Sequence, residues 1–289
     1  MTCCFSSTPI PSSQNKIVGM FFGNEPSAVA PFEQWFGKPI GGILAYGNHN
    51  SNWAAFDSSI PYEVALWSSV DRRVLWSVPL IVVESTLEQA AAGAYNDHYR
   101  QAATTINASR TGDTEVYMRT GWEFNGDWFP WAAAGKTAAF IGAYRQFVQT
   151  FRSVSSRFKY EWTPNIGDKG MNPADAYPGD DVVDLIGMDL YYNITWDSPD
   201  GATAFASKKS EPYGLQWHKD FSATHGKRMT YSEWGINIDS PDYVQLMHDW
   251  FVSTNVVYQT YWNSDSAFRG ALSHYPNAAA RYKALFSQW

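Results

Sequence analysis

Cysteine and long apolar runs are scarce in this sequence. The two cysteines among the 289 residues, Cys3 and Cys4, are adjacent near the start. Neighbouring cysteines rarely form a disulfide with each other, so we expect a fold that does not depend on one. No uninterrupted apolar stretch reaches about 18 residues, and we therefore expect no membrane-spanning helix.

Charge of both signs is also scarce, because Asp, Glu, Lys and Arg together make up 17% of the chain. The formal net charge is −7, and no basic cluster is present, which excludes a nucleic-acid partner of the usual kind. The six histidines are dispersed without metal-ligand spacing, so we expect neither a metal nor another cofactor. Dinucleotide, phosphate-loop and serine-elbow motifs are missing as well.

Aromatic residues, by contrast, are abundant at 17%, and they include 14 tryptophans. A core of this size needs fewer, so several are expected to line a surface groove. Such a groove suits an uncharged ligand such as a polysaccharide.

Short apolar runs alternate with helical patterns along the chain. The expected strands are 16–24, 40–48, 74–83, 115–123, 158–165, 182–192, 228–234 and 255–262. The expected helices are 28–36, 62–69, 87–107, 137–155, 205–225, 241–253 and 278–287. Eight strand-then-helix units with near-continuous apolar strands predict an α/β fold, a (β/α)8 TIM barrel in one domain. An open doubly wound sheet is the alternative.

The first residues differ in composition from the rest. Positions 1–14 are rich in Ser and Pro and are interpreted as a disordered or tethering leader. The barrel domain is then expected to cover 15–289, and it is expected to be monomeric.

Two glutamates follow strand-like runs 110 residues apart. Glu123 lies in the motif RTGWEFNGDWFPW (119–131), and Glu233 lies in RMTYSEWG (228–235). Reactive groups of a (β/α)8 barrel gather where strands end, so both carboxylates are expected at one mouth. Two carboxylates in a tryptophan-rich cleft are the equipment for hydrolysing a glycosidic bond, since one donates a proton while the other stays ionised.

Period-two alternation predicts which side chains accompany the glutamates. Arg119 should share a side of the fourth strand with Glu123, and Tyr231 should share a side of the seventh strand with Glu233. Arg119 and Tyr191 are then placed to donate hydrogen bonds to Glu233. The carboxyl separation decides the stereochemistry: about 5–5.5 Å gives retention and about 6.5–9.5 Å gives inversion.

Further residues are candidates for binding sugar, the tryptophans by stacking and the asparagines by bonding hydroxyls. Each tryptophan could instead belong to the core, and Arg119 could be a structural ion pair. For Asp189, hydrogen bonding in the core is favoured over catalysis, and Glu161 is expected either to form a buried pair or to lie outside the barrel. The candidate substrate-binding residues are Arg119, Trp122, Asn125, Trp128, Trp131, Trp162, Asn165, Tyr191, Trp234, Trp262 and His49.

Three motifs resemble glycoside hydrolase family 26 in their order along the chain. Segment 119–131 is similar to the family's acid/base region, 177–191 to its sixth strand, and 228–235 to its nucleophile strand. The resemblance implies a (β/α)8 retaining hydrolase with Glu123 as acid/base, Glu233 as nucleophile and Tyr191 bonded to the nucleophile. The sequence departs from the family's pattern at Trp122, where the family usually has His.

The commonest activity of the family is endo-β-1,4-mannanase, so the resemblance implies a polysaccharide substrate with β-mannan as the first guess. A β-glucan, a β-xylan or a bacterial exopolysaccharide is the alternative. A non-catalytic carbohydrate-binding barrel and a sugar-transferring enzyme are further hypotheses. We expect the protein to be secreted or held in the cell envelope, although no signal peptide is visible.

Overall fold

The computed structural model describes residues 16–289, and the predicted leader with Cys3 and Cys4 lies outside the described residues. Ten strands are present in this part: β1 (Ile17–Phe21), β2 (Gly42–Tyr46), β3 (Arg73–Ser77), β4 (Val116–Arg119), β5 (Phe158–Trp162), β6 (Leu185–Ile186), β7 (Asp189–Tyr192), β8 (Arg228–Met229), β9 (Tyr231–Ile236) and β10 (Tyr258–Trp262). Nine α-helices accompany them between residues 16 and 289: α1 (Val29–Phe36), α2 (Trp53–Leu66), α3 (Leu87–Ala91), α4 (Asn96–Ser109), α5 (Thr137–Val154), α6 (Gly201–Ser210), α7 (Leu215–Thr224), α8 (Pro241–Ser253) and α9 (Pro276–Phe286).

The strands form one closed parallel sheet. Pairing runs from β1 through β5 to β6 and β8, and from β1 in the other direction through β10 and β9 to β7. β6 and β7 together make the sixth barrel strand, and β8 and β9 make the seventh. The ring closes because Leu185 of β6 pairs with Arg228 and Asp189 of β7 pairs with Glu233. The predicted (β/α)8 barrel is confirmed.

Several predicted elements have different bounds. The single runs at 182–192 and 228–234 are each interrupted between two short strands. The helix expected at 62–69 begins earlier, at Trp53, where the Asn52 side chain accepts a hydrogen bond from the amide of Ala55 and caps it. The helix expected at 87–107 is broken, because Gly93 has a φ of 83° just after α3, a conformation that ends helices. The segment predicted as one helix at 205–225 forms α6 and α7.

Apolar side chains form two layers, one on each side of the sheet. The larger cluster lies between the barrel and its helices and includes Val18 and Met20 of β1. The smaller fills the barrel interior and includes Ile17 and Phe21 of the same strand. This alternation explains why the strands read as nearly continuous apolar runs, since both faces are covered.

The barrel interior also contains a buried carboxylate, Glu161, which is fully excluded from solvent. It accepts hydrogen bonds from Thr163 (2.5 Å), Ser232 (2.6 Å) and the hydroxyl of Tyr258. One polar group thereby joins the fifth, seventh and eighth barrel strands, so Glu161 is a buried paired residue and the alternative position outside the barrel is wrong.

We predict that Glu161→Ala lowers the free energy of unfolding by about 3 kcal/mol, because three buried hydroxyl groups lose their acceptor. Urea denaturation followed by circular dichroism measures the change. The control is Glu84→Ala, an exposed carboxylate, which is expected to change stability by less than about 0.5 kcal/mol. Equal stabilities of the two variants would show that the interior network contributes little.

Candidate active site

A β-bulge in β9 sets the direction of Glu233. Tyr231 pairs with Gln259 and Trp234 pairs with Tyr261. An advance of three residues along β9 therefore matches an advance of two residues along β10. The bulge turns one extra side chain toward the interior. Tyr231 points outward and accepts a bond from Trp250 of α8 (2.7 Å). The prediction that Tyr231 and Glu233 share a side is therefore wrong.

Glu123 lies in a turn beyond β4, which ends at Arg119. Its φ is 52°, a value that residues other than glycine rarely adopt, and its amide donates to the carbonyl oxygen of Thr163 (2.8 Å). Strand alternation does not continue to this position, so the prediction that alternation along β4 directs Glu123 inward is wrong. The turn nevertheless directs the carboxylate into the cleft. Unusual backbone conformations of this kind concentrate at functional sites.

Three donors hold the Glu233 carboxylate. One oxygen accepts from Arg119 Nη2 (2.6 Å) and from the hydroxyl of Tyr46 (2.5 Å), and the other accepts from the hydroxyl of Tyr191 (2.6 Å). Burial, followed by the negative charge of Glu233, raises the pKa of both tyrosines well above the ordinary value. Both hydroxyls therefore stay protonated and donate to Glu233.

Arg119 is an internal cation rather than a cleft residue. It is 1% exposed, and its guanidinium forms ion pairs with Asp189 and with Glu233. Its charge also lies 5.2 Å from the ring centre of Trp122. Direct contact between Arg119 and a sugar, as predicted, is wrong, because the side chain is sealed beneath the cleft. It orients Glu233, while Asp189 is fully buried, as the core role expected for it requires.

Glu123 has a different environment. Its two oxygens accept hydrogen bonds from Asn165 Nδ2 (2.7 Å) and from the indole nitrogen of Trp128 (2.6 Å). Burial, and then the negative charge of Glu233, raises the pKa of Glu123 to about 7. This carboxyl group can therefore keep a proton near neutral pH, whereas Glu233 is paired with a guanidinium.

The two carboxylates lie at the floor of one cleft of about 1100 Å³. One oxygen each of Glu123, Asp189 and Glu233 lies within 4.8 Å of the others. The predicted substrate residues that line this cleft are Trp122, Trp128, Asn165, Tyr191, Trp262 and His49. Their contacts with substrate stay a prediction.

Comparison with known proteins identifies the family of the chain. The model of glycosyl hydrolase family 26 matches residues 41–208, more than half of the chain. The chain belongs to this family. Endoglucanase H of Acetivibrio thermocellus is 24% identical over 186 residues, which cover 60% of this chain and 19% of that protein. The chain thus spans about a fifth of the length of that curated relative.

Solved structures of family 26 share the fold. A double mutant of the Cellulomonas fimi endo-β-1,4-mannanase superposes with a TM-score of 0.67 at 18% identity, covering 93% of this chain and 70% of that one. The catalytic domain of a Bacillus sp. JAMB-750 endo-β-1,4-mannanase gives 0.66 at 16% identity, covering 93% and 85%. At these identities the likeness establishes the barrel fold.

Two tryptophans predicted to stack on sugars are core residues in this family 26 barrel. Trp162 is fully buried, packs against Phe124 and Phe221, and donates to the carbonyl oxygen of Ala176 (3.2 Å). Trp234 is also fully buried and donates to Gln259. Both sugar contacts are wrong, because these indoles lie among buried side chains and hydrogen-bond there.

Two further predicted contacts are replaced by supporting roles. Trp131 is fully buried and donates to the carbonyl oxygen of Trp122 (2.6 Å). Asn125 is 1% exposed and exchanges two hydrogen bonds of 2.8 Å with the backbone of Asn165. Neither side chain lines the cleft, but each is hydrogen-bonded to a residue that does.

Sequence reasoning missed several cleft residues. Tyr46 carried an available signal, because it lies near the end of the second predicted strand, at the same mouth as both glutamates. Tyr62 lies in α2, and Trp196 follows β7 in a loop, so neither had a strand end to mark it. The missed aromatic lining residues are Phe21, Tyr46, Tyr62, Phe129, Trp196 and Phe268.

The three carboxylates also have the spacing of a metal-binding group, and they are the candidates for such a role among residues 16–289. The Arg119 guanidinium is already bonded to Asp189 and Glu233, and it places a positive charge between them. In the described part of the chain, no helix has the length and apolarity needed to cross a bilayer.

We predict that Gly126→Ala displaces Trp128 from Glu123, because a Cβ at Gly126 would lie 2.2–2.4 Å from the indole ring. Misplacing a group that is hydrogen-bonded to Glu123 should lower kcat/KM for glycoside hydrolysis by about 10- to 100-fold while the barrel stays folded. Activity and the thermal midpoint are measured together. The control is Gly112→Ala, where nothing lies within 4 Å. Wild-type activity of Gly126→Ala would contradict this positioning role.

Proposed function

We propose that the protein is a retaining endo-glycoside hydrolase that cleaves a β-linked polysaccharide, with Glu233 as nucleophile and Glu123 as acid/base. The observation that carries the proposal is the contrast between two neighbouring carboxylates. Glu233 is bonded to a guanidinium and two hydroxyl groups, whereas burial raises the pKa of Glu123 to about 7. Such pairs divide the roles of nucleophile and proton donor.

The separation of the carboxylates supports retention. Oxygens of Glu123 and Glu233 lie within 4.8 Å, close to the spacing of about 5–5.5 Å that retaining enzymes use. Inversion needs about 6.5–9.5 Å, because a water molecule must fit between sugar and base.

The proposed reaction has two displacements. Glu233 attacks the anomeric carbon while Glu123 gives its proton to the departing glycosidic oxygen, and a covalent glycosyl-enzyme forms. Glu123, now ionised, takes a proton from water, whose oxygen then attacks the same carbon and releases Glu233. Trp128 and Asn165 keep the Glu123 carboxyl in reach for both steps.

The shape of the cleft supports internal cleavage of a chain. Its volume of about 1100 Å³ exceeds the range of about 300–1,000 Å³ found for compact ligands. Tyr62 follows the second barrel strand and Trp196 follows the sixth, so the two lie on opposite sides of an eight-strand ring, and both line the cleft. A cleft with walls this far apart accommodates several sugar units.

β-1,4-Mannan is the first substrate we propose, because structural neighbours of the chain are named endo-β-1,4-mannanases. β-Glucan is the second, because the curated relative is named an endoglucanase. Trp122 stands where the family usually has His, and because of this departure we keep β-glucan as the alternative substrate. Among described residues lining the cleft, Lys169 is the only Lys or Arg, which suits an uncharged glycan.

We predict that Glu233→Ala lowers turnover by several orders of magnitude with the fold intact, because it removes the proposed nucleophile. Purified protein is screened on mannan, glucomannan, β-glucans, xylans and bacterial exopolysaccharides by release of reducing ends. Glu84→Ala, an exposed glutamate outside the cleft, serves as control and should keep full activity. Full activity of Glu233→Ala would refute the assigned role.

We also predict that kcat/KM falls as pH rises through about 7, because Glu123 must be protonated to act as acid. The pKa of Glu123 in the folded protein lies above the ordinary glutamate value of 4.5, so the folded state holds this proton more tightly than the unfolded chain. The associated stability is complete below about 4.5 and is lost as pH rises through about 7.

Glu123→Gln tests the acid role directly. On an aryl glycoside with an activated leaving group the variant should be partly spared, because little proton donation is needed, and its limb near pH 7 should disappear. On the natural polysaccharide the loss should be much larger. Equal losses on both substrates would count against Glu123 as the acid.

A further inference from the structure

The loop 193–197, which follows β7, presents the most exposed of the large apolar side chains in the described part of the chain. Trp196 is 73% exposed, and it lines the cleft together with Asn193. Ile194 beside it is 41% exposed. Exposed apolar surface on the wall of a cleft marks a place where a ligand rests.

The backbone of this loop is held firmly without help from the indole. Asn193 accepts from the amides of Thr195 (3.1 Å) and Trp196 (3.1 Å), and its own amide donates to Asp197 (2.8 Å). Asn237 adds a bond to the side chain of Asn193 (2.8 Å). Asp197 is paired in turn with the nearly buried Lys208 (3.0 Å). The loop is therefore a preformed support for Trp196.

The fold itself makes little use of the Trp196 ring. Among residues 16–289 it has no aromatic ring contact and no side-chain hydrogen bond. Four aromatic side chains are exposed in the same part of the chain, and three of them line the cleft: Tyr62, Trp128 and Trp196. The fourth, Trp35, packs on Phe32 outside the cleft. This concentration at one surface separates Trp196 from an incidental exposed residue.

We propose that Trp196 is a stacking platform for a pyranose ring of an uncharged β-linked glycan, at a subsite remote from the bond that is cleaved. This inference rests on the proposed function. Among residues 16–289, Trp196 has no hydrogen bond or aromatic ring contact with either glutamate or with the side chains that bond them, so we place it against a sugar that does not react. A contact made equally before and during reaction changes KM and leaves kcat unchanged.

The experiment uses affinity electrophoresis of the full chain carrying Glu233→Ala, in gels containing galactomannan, glucomannan, barley β-glucan or xylan. In at least one gel this parent should be retarded. Adding Trp196→Ala should weaken binding there by about 3- to 10-fold, which is the value of an aromatic stacking contact. Trp196→Phe should recover part of the retardation, because it restores an aromatic face.

Trp35→Ala in the same background is the matched control, since it removes an exposed tryptophan outside the cleft. In the active enzyme, Trp196→Ala should raise KM on the retarding glycan by the same factor with kcat unchanged. Retardation equal to that of the parent would overturn the platform while leaving the catalytic proposal intact. A parent that none of the four glycans retards would overturn the platform together with the proposed substrate class.

Discussion

The bond between the Arg119 guanidinium and its two carboxylates is the interaction on which the site depends. Arg119 comes from β4, Asp189 from β7 and Glu233 from β9, so one buried cation joins three barrel strands at the mouth. A buried guanidinium is costly unless it is paired, and removing one partner would leave an uncompensated charge. The barrel therefore has to hold Glu233 within reach of Arg119.

The same arrangement separates the properties of the two glutamates. Glu233 is bonded to the guanidinium of Arg119. Glu123 lies near Glu233 and accepts hydrogen bonds from two neutral donors, the side-chain amide of Asn165 and the indole of Trp128. Because like charges at this distance disfavour double ionisation, the charge on Glu233 helps Glu123 keep its proton. The raised pKa of Glu123 is therefore a property of the pair.

Sequence reasoning located the barrel and the glutamates but misjudged several side chains around them. The alternation argument failed at Tyr231, where a β-bulge shifts the register, and at Glu123, where the strand has already ended. Composition could not tell Trp162 and Trp234, which are buried in the core, from Trp196, which is exposed on the cleft. Tyr46 was overlooked although its position near a strand end resembles that of the two glutamates.

The sequence by itself determined the barrel, because the order and spacing of apolar runs permit few other arrangements of eight strand-helix units. It also determined which two carboxylates lie at the mouth, because parallel strands end at the same edge. Only the tertiary structure decided which aromatic residues face the cleft and which donors reach each carboxylate. Those contacts join residues as far apart as Tyr46 and Glu233, and they follow from a bulge, a left-handed turn and loop paths that no local pattern encodes.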